Sequence, residues 1–274
     1  MPSLQIPSGR IFYADSRPTT TPPRATLILH HGLGSSHAFY RPITPALTSS
    51  PHNFRCITYD SISSGLSDIA LPLETQSIQT LAKDVIDVLD ALGVKGKVIM
   101  VGHSLAGVVA AEIAAMRGDR VMGAVMLGPV LPQESVKEVF EQRVKTVQEK
   151  GMEVMADTIP TGATGSRSTP LQHAFIRVLL LSQNPEGYCS MCRVIGGASV
   201  PDYEGIRMPT LLVAGREDKS APLKGCETIY ERTGGKKRME VLEGVGHWFC
   251  IEDPEAVGRL IGEFVEEVGV EKVV

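Results

Sequence analysis

The segment Val98-Ile99-Met100-Val101-Gly102-His103-Ser104-Leu105-Ala106-Gly107 is an apolar run that breaks on a serine and passes at once into an alanine-rich helical stretch. A serine held at a sharp strand-to-helix turn presents its hydroxyl clear of the backbone, which is the placement a nucleophile needs. Such a turn demands small neighbours, because it forces unusual backbone angles on Ser104 and leaves no room for a side chain at Gly102. Ala106 stands where a second glycine is usual, and Gly107 follows it. Alanine is the smallest replacement, so the turn is retained, and Gly107 lets the helix pack closely on the strands. The plainer alternative is a serine that merely caps the helix; the whole string favours the nucleophile.

A serine nucleophile needs a base, and the loop Glu243-Gly244-Val245-Gly246-His247-Trp248 offers one. Its glycines leave the chain free to carry an imidazole over a strand end, so His247 is the candidate base, the alternative being a loop histidine bonded to backbone. Acyl transfer also needs N–H donors where charge develops on the carbonyl oxygen, and the loop His31-Gly32-Leu33 is placed to supply one. The candidate donors are the backbone amides of Leu33 and Leu105. That loop is not a dinucleotide site, since its spacing is not G-x-G-x-x-G.

Residues 102–107, His31-Gly32-Leu33-Gly34, Gly215 to Asp218 and Gly246-His247 together resemble the α/β-hydrolase superfamily, over nearly the whole chain. The resemblance implies an α/β fold with a mostly parallel central sheet flanked by helices, and the chain order nucleophile, acid, histidine. It also implies an acid three residues after a strand-end glycine with a proline soon after, which Asp218 and Pro222 match. Asp218 would then fix the tautomer of His247 and stabilise its imidazolium. Glu217 remains a rival, because a short loop can redirect either carboxylate. His31 resembles the superfamily's loop-structuring histidine, and His103 is expected to point away from the site. One departure stands out: where D-x-R-G-x-G-x-S is common, this chain has Asp60-Ser61-Ile62-Ser63-Ser64-Gly65-Leu66-Ser67. The loop is expected to keep its shape with a different polar network behind it.

The elements that must position these residues follow from hydrophobic pattern. Short apolar runs at 25–30, 56–59, 98–101, 121–127, 210–214 and 239–242, each bounded by Gly, Asp or Ser, predict buried strands of a parallel sheet covered on both faces. A hairpin signal precedes them at Ser8-Gly9. Ile78, Leu81, Val85, Leu89 and Leu92 recur at helical spacing, with Lys83, Asp84, Asp87 and Asp90 expected on the other side. Further helices are predicted at 105–116 and 254–268. Between 131 and 201 no strand is evident; helices at 134–150 and 171–182 flank an expected flexible stretch at 161–169. This gives a core of 1–130 and 202–274 with a helical lid inserted at 131–201.

Composition sets the outer bounds. The 274 residues are 43% hydrophobic and 21% charged, which suits a globular core and excludes collagen, coiled coil and disorder. The balance of 27 Lys+Arg against 31 Asp+Glu, with no basic cluster, excludes nucleic acid as the expected partner. No signal-peptide pattern or membrane-span run appears, so no membrane association and a cytoplasmic location are expected. Five cysteines do not form a secreted disulfide pattern, and Cys189 and Cys192, though spaced C-x-x-C, read as packed free thiols.

Within the superfamily, Gly187-Tyr188-Cys189-Ser190-Met191-Cys192-Arg193 resembles the G-Y-x-x-x-C stretch of 3-oxoadipate enol-lactone hydrolases and their relatives. Tyr188 and Cys192 either pack the lid or meet substrate. Arg193 reads as a solvated lid arginine, with capture of a substrate carboxylate as the sharper alternative. The expected function is hydrolysis of an ester or lactone of a small carboxylic acid through an acyl-Ser104 intermediate, with a small molecule as partner and no metal or cofactor. The same residues would also serve a C–C bond hydrolase, thioesterase or acyltransferase, and the fold could carry a non-catalytic binder of small ligands. Oligomeric state is left open.

Overall fold

The computed structural model describes residues 2–19 and 22–269. Eight strands form one sheet: β1 (Ser3–Ile6), β2 (Gly9–Ser16), β3 (Thr26–His30), β4 (Arg55–Tyr59), β5 (Val98–His103), β6 (Val121–Leu127), β7 (Thr210–Gly215) and β8 (Lys237–Leu242). Their spatial order is β1-β2-β4-β3-β5-β6-β7-β8. The first two pairings are antiparallel and the remaining five parallel. Among the described residues ten α-helices accompany the sheet: α1 (Thr44–Thr48), α2 (Ile78–Ala91), α3 (Leu105–Met116), α4 (Glu134–Lys150), α5 (Glu153–Gly162), α6 (Pro170–Leu181), α7 (Pro185–Gly196), α8 (Leu223–Arg232), α9 (Phe249–Glu252) and α10 (Pro254–Val268).

Because successive side chains on a strand face opposite ways, apolar residues at every position give the sheet two buried faces. Ile28, Met100, Ala124 and Leu212 face a core shared with α2 and α3. Leu27, Leu29, Ile99, Val101, Val125 and Val213 face the second core, shared with α10. The helices have readable ends. Ser77 accepts from the Thr80 amide while the Thr80 side chain caps Ser77 in return. Asp253 caps α10 ahead of Pro254, and Gly269 closes it in the left-handed region at φ 77°. No helix among the described residues is long and apolar enough to cross a membrane.

Register brings the ends of the parallel strands to one edge: His30 lies opposite Gly102, His103 opposite Leu127 and Gly215 opposite Leu242. Ser104, Asp218 and His247 all follow strands at this carboxyl edge, the usual place for a site in a parallel sheet. Between β6 and β7 the chain forms α4 to α7 without a strand among the described residues.

Two expectations are corrected here. Residues 161–169 are not a free stretch: Gly162 still belongs to α5, and Gly165, Ser166 and Arg167 bond to Glu252, Glu217 and Asp253. Their Gly, Ser and Thr content suggested flexibility, but tertiary partners fix them. Asp84 is not on the solvent side of α2 either. It borders the apolar stripe, is 5% exposed, and burial raises its carboxyl pKa to about 6, with Ser8 partly offsetting. With the folded pKa above the unfolded one, the charge costs nothing below about pH 4 and its full penalty is present above about pH 6. Asp84→Asn should therefore stabilise the protein at pH 8 by up to about 3 kcal/mol in urea unfolding. The gain should fade as pH falls towards 4, and a gain of equal size at both pH values would contradict the burial account.

Candidate active site

Ser104 sits between β5 and α3 with φ 58° and ψ −116°, a region that residues with a Cβ rarely occupy. Its amide donates to the Leu127 carbonyl at 2.9 Å, so the β5–β6 ladder holds the turn from below. A Cβ at Gly102 would lie 1.9 Å from the Ala106 carbonyl oxygen, which makes glycine obligatory there. Ala106 is fully buried and fits the turn. Gly107 packs on Pro129, just beyond β6, where a Cβ would come within 3.0 Å of the proline.

The three chemistry-bearing side chains meet although they are far apart in sequence. The Ser104 hydroxyl donates to His247 Nε2 at 2.9 Å. On the other side of the ring, Nδ1 donates to Asp218 Oδ2 at 2.7 Å. The remaining Asp218 oxygen accepts from the Ser220 and Ala221 amides, both at 2.8 Å, which fixes the carboxylate. Glu217 points elsewhere: Ser166 donates to it through its amide and hydroxyl, and these bonds hold its carboxyl below the ordinary value. This relay lets the serine lose a proton to an imidazole whose other nitrogen faces a carboxylate.

Gly32 runs against the serine, since a Cβ there would be 2.9 Å from Ser104 Cβ. Its neighbour Leu33 borders the same cavity as Ser104. Among the described residues, neither the Leu33 nor the Leu105 amide donates to a loop or cap acceptor. His31 shapes this loop: Nε2 accepts from the Ser61 amide at 3.1 Å, so Nδ1 carries the proton and donates to the Gly32 carbonyl at 2.8 Å. In the departing loop, Asp60 accepts from the His37 amide and ring and from the Leu66 amide. Those bonds form the polar network that stands where the arginine is missing.

His247 is gripped through its backbone as well as its ring, and the groups that do so escaped the sequence analysis. Its amide donates to the Ala163 carbonyl at 2.7 Å. Its carbonyl accepts from His103 Nε2 at 2.8 Å. His103 is kept neutral by burial, with His247 nearby adding to the effect, and it stacks on Phe39 at 4.3 Å. Glu252, 8% exposed, accepts from three amides: Gly165 at 2.7 Å, Gly246 at 2.9 Å and Trp248 at 2.7 Å. Burial raises its pKa and the three amide bonds oppose the rise. Close approach makes this possible, for a Cβ on Gly165 would be 2.3 Å from the Gly244 carbonyl oxygen. In sequence, Glu252 lies beside Asp253 and ahead of a proline-started helix, where an acid reads as solvated.

A cavity of about 460 Å³ opens over this edge, bordered by Ser104 and His247 below and by residues of α4, α5 and α7 above. Tyr188 borders it, while Cys192 is fully buried in packing. Arg193 does not reach it and instead lines a separate surface groove beside α4. Gly187 allows α7 to dock, since a Cβ there would be 2.3 Å from the Ser63 carbonyl oxygen.

A family profile described as the alpha/beta hydrolase family matches residues 27–260. The chain is 25% identical over 249 residues to 3-oxoadipate enol-lactonase 1 of Acinetobacter baylyi, covering 88% of this chain and 89% of that protein. It is 28% identical over 255 residues to a protein of Pseudomonas savastanoi named for carbamate hydrolysis, RutD, covering 87% and 93%. Among solved structures, the enol-lactonase of Burkholderia xenovorans superposes with a TM-score of 0.88 at 23% identity, over 97% of this chain and 100% of that one. At that identity the superposition speaks to fold alone.

The three amide bonds to Glu252 make a test of the backbone grip. Glu252→Gln keeps one acceptor oxygen and places an NH₂ against donors, which should cost about 2–3 kcal/mol in urea unfolding. Hydrogen exchange at Gly165, Gly246 and Trp248 should quicken together. Loss of protection at one of them alone would show that the carboxylate does not couple the two segments.

Proposed function

The chain belongs to the alpha/beta hydrolase family, and from that premise we propose that it is a serine hydrolase cleaving an ester or lactone of a small carboxylic acid. The observation that carries this reading is the unbroken relay Ser104–His247–Asp218, with spacings of 2.9 and 2.7 Å, at the floor of the cavity. Its enol-lactonase relative is named for lactone chemistry of the same kind.

In the proposed mechanism the Ser104 oxygen attacks the substrate carbonyl carbon while its proton passes to His247 Nε2. The carbonyl oxygen becomes an oxyanion that the Leu33 and Leu105 amides bind. As the tetrahedral intermediate collapses, the carbon–oxygen bond to the leaving group breaks and His247 returns the proton to that oxygen. A lactone's leaving oxygen stays tethered to the acyl chain. Water then attacks the acyl-serine, gives its proton to His247, and a second collapse frees the acid and restores the Ser104 hydroxyl. Asp218 keeps the imidazole in the required tautomer throughout. We assign α4 to α7, within residues 131–201, as the lid over this site. The cavity lies low in the range of roughly 300–1,000 Å³ typical of small-molecule sites, which favours short acyl groups.

Ser104→Ala should fold normally and lose hydrolysis of short-chain esters and lactones by at least about three orders of magnitude. A folded variant that keeps most of its activity would end this reading, as would a phosphonate adduct found by mass spectrometry on another serine. Carbamates belong in the same screen because of the second relative, and a clear preference for them would move the substrate class while keeping the relay.

Asp218→Asn should be far more damaging than Glu217→Gln, because an asparagine favours the wrong histidine tautomer at a cost of up to about 10⁴ in kcat. The reverse ranking would transfer the acid to Glu217.

A further inference from the structure

Helix α6 is apolar on two opposite faces. Ile176, Leu179 and Leu180 are buried against the body of the protein. Gln172 ties the helix down by donating to the Ile251 and Glu252 carbonyls at 2.7 and 3.1 Å. The other face looks to solvent: Leu171 is 80% exposed, Val178 61% and Leu181 39%, and Ala174 is exposed between them. Single exposed apolar side chains are ordinary, whereas a contiguous row of them marks a contact surface. A helix apolar on opposite faces is normally covered on both.

The spacing points to the kind of cover. Residues 171, 174, 178 and 181 step by three, four and three, the rhythm of a seam between two helices. The order of sizes along this seam is nearly symmetric, with leucine at each end and alanine and valine between. A second copy running antiparallel, turned about a two-fold axis midway between Leu171 and Leu181, would set Leu171 of each chain against Leu181 of the other. Ala174 of each would meet Val178 of the other. Self-complementarity of this kind is what a two-fold contact requires.

Charge agrees with size. Arg177 borders the stripe close to that midpoint and pairs at 3.1 Å with Asp157 of α5, both side chains being well exposed. In the antiparallel arrangement the α5 side of one chain comes to the α5 side of the other. Asp157 and Arg177 of each copy then face Arg177 and Asp157 of its partner, two anions and two cations around one axis. An anionic lipid surface would instead select an excess of cations along the stripe, and here the bordering cation is already neutralised.

We propose that the exposed stripe of α6 is an interface between two copies of this chain, packed antiparallel through Leu171, Ala174, Val178 and Leu181. The proposal is independent of the hydrolase reading. From Leu171 to Leu181 the seam is about 15 Å long at roughly 1.5 Å per residue. One helix laid on one helix over that length covers less than the roughly 800 Å² per partner of a standard interface. The dimer is therefore weak, in exchange with monomer at roughly 10–500 μM.

Sedimentation equilibrium from roughly 5 μM to 1 mM tests this, and the wild-type protein should pass from one chain towards two across the range. Val178→Glu sets two like charges beside the axis, so it should stay monomeric while keeping the wild-type urea midpoint, since the position is solvent-facing. Met116→Glu, at a similarly exposed apolar residue on α3, should dimerise as wild type does. Arg177→Asp should weaken association about tenfold or more. Combining it with Asp157→Arg should restore association, because the four charges then alternate again. A wild type that is monomeric throughout, or a dimer that survives Val178→Glu, would overturn the proposal. Failure of the double variant to recover would overturn the antiparallel packing and the proposal with it. Monomer that binds phosphatidylcholine vesicles, and loses that binding in Val178→Glu, would assign the stripe to a lipid surface instead.

Discussion

One backbone conformation organises this molecule: Ser104 at φ 58° and ψ −116°, between a strand and a helix that both continue without a break. A non-glycine residue there costs on the order of 1–3 kcal/mol, and three features hold it. The Ser104 amide extends the β5–β6 ladder to Leu127. The Gly107 amide donates to the Ser104 carbonyl at 2.9 Å and starts the helix. Gly102 lets the Ala106 carbonyl come where a Cβ would stand. The strain projects the hydroxyl out of the sheet edge, so every other part of the site must come to it.

What comes to it from furthest along the chain is His247, 143 residues on. A loop with two glycines is well able to reach the serine and equally able to wander. The structure counters this by fixing backbone on both sides of the histidine, through Glu252 to Gly246 and Trp248, through His103 to the His247 carbonyl and through Ala163 to its amide. Since Ala163 and Gly165 belong to the segment between α5 and α6, the same bonds tie the helical insertion to the histidine loop. Any movement of α5 that displaced residues 163–165 would disturb the position of His247.

The sheet and the relay were legible because they follow from local pattern. Apolar runs ended by glycine mark β3, β5 and β7, and the elbow string has few other uses. Helices α5 and α7 were not visible in advance. The first contains Pro160, Thr161 and Gly162, and the second has Gly187 in its first turn, all poor helix formers. Tertiary packing decides both: Gly187 is needed where α7 meets the Ser63 carbonyl, and Pro160 is buried with the second core near Ala163. Glu252 escaped for a related reason: it is a charged residue in a charged neighbourhood, and only folding shows that it is enclosed by amides.

Three carboxylates lie close to the histidine, and their surroundings give them different tasks. Asp218 spends one oxygen on two amides and keeps the other for the imidazole. Glu252 spends both oxygens on amides, so it acts on the histidine only by holding its backbone. Glu217, nearer the surface, secures Ser166 and leaves the relay alone. Among the described residues no Asp or Glu borders the cavity in front of the imidazole. On the proposed reading this separation has a chemical sense. A carboxylate in front would repel the oxyanion formed at Ser104, whereas negative charge behind His247 stabilises the imidazolium that forms at the same moment.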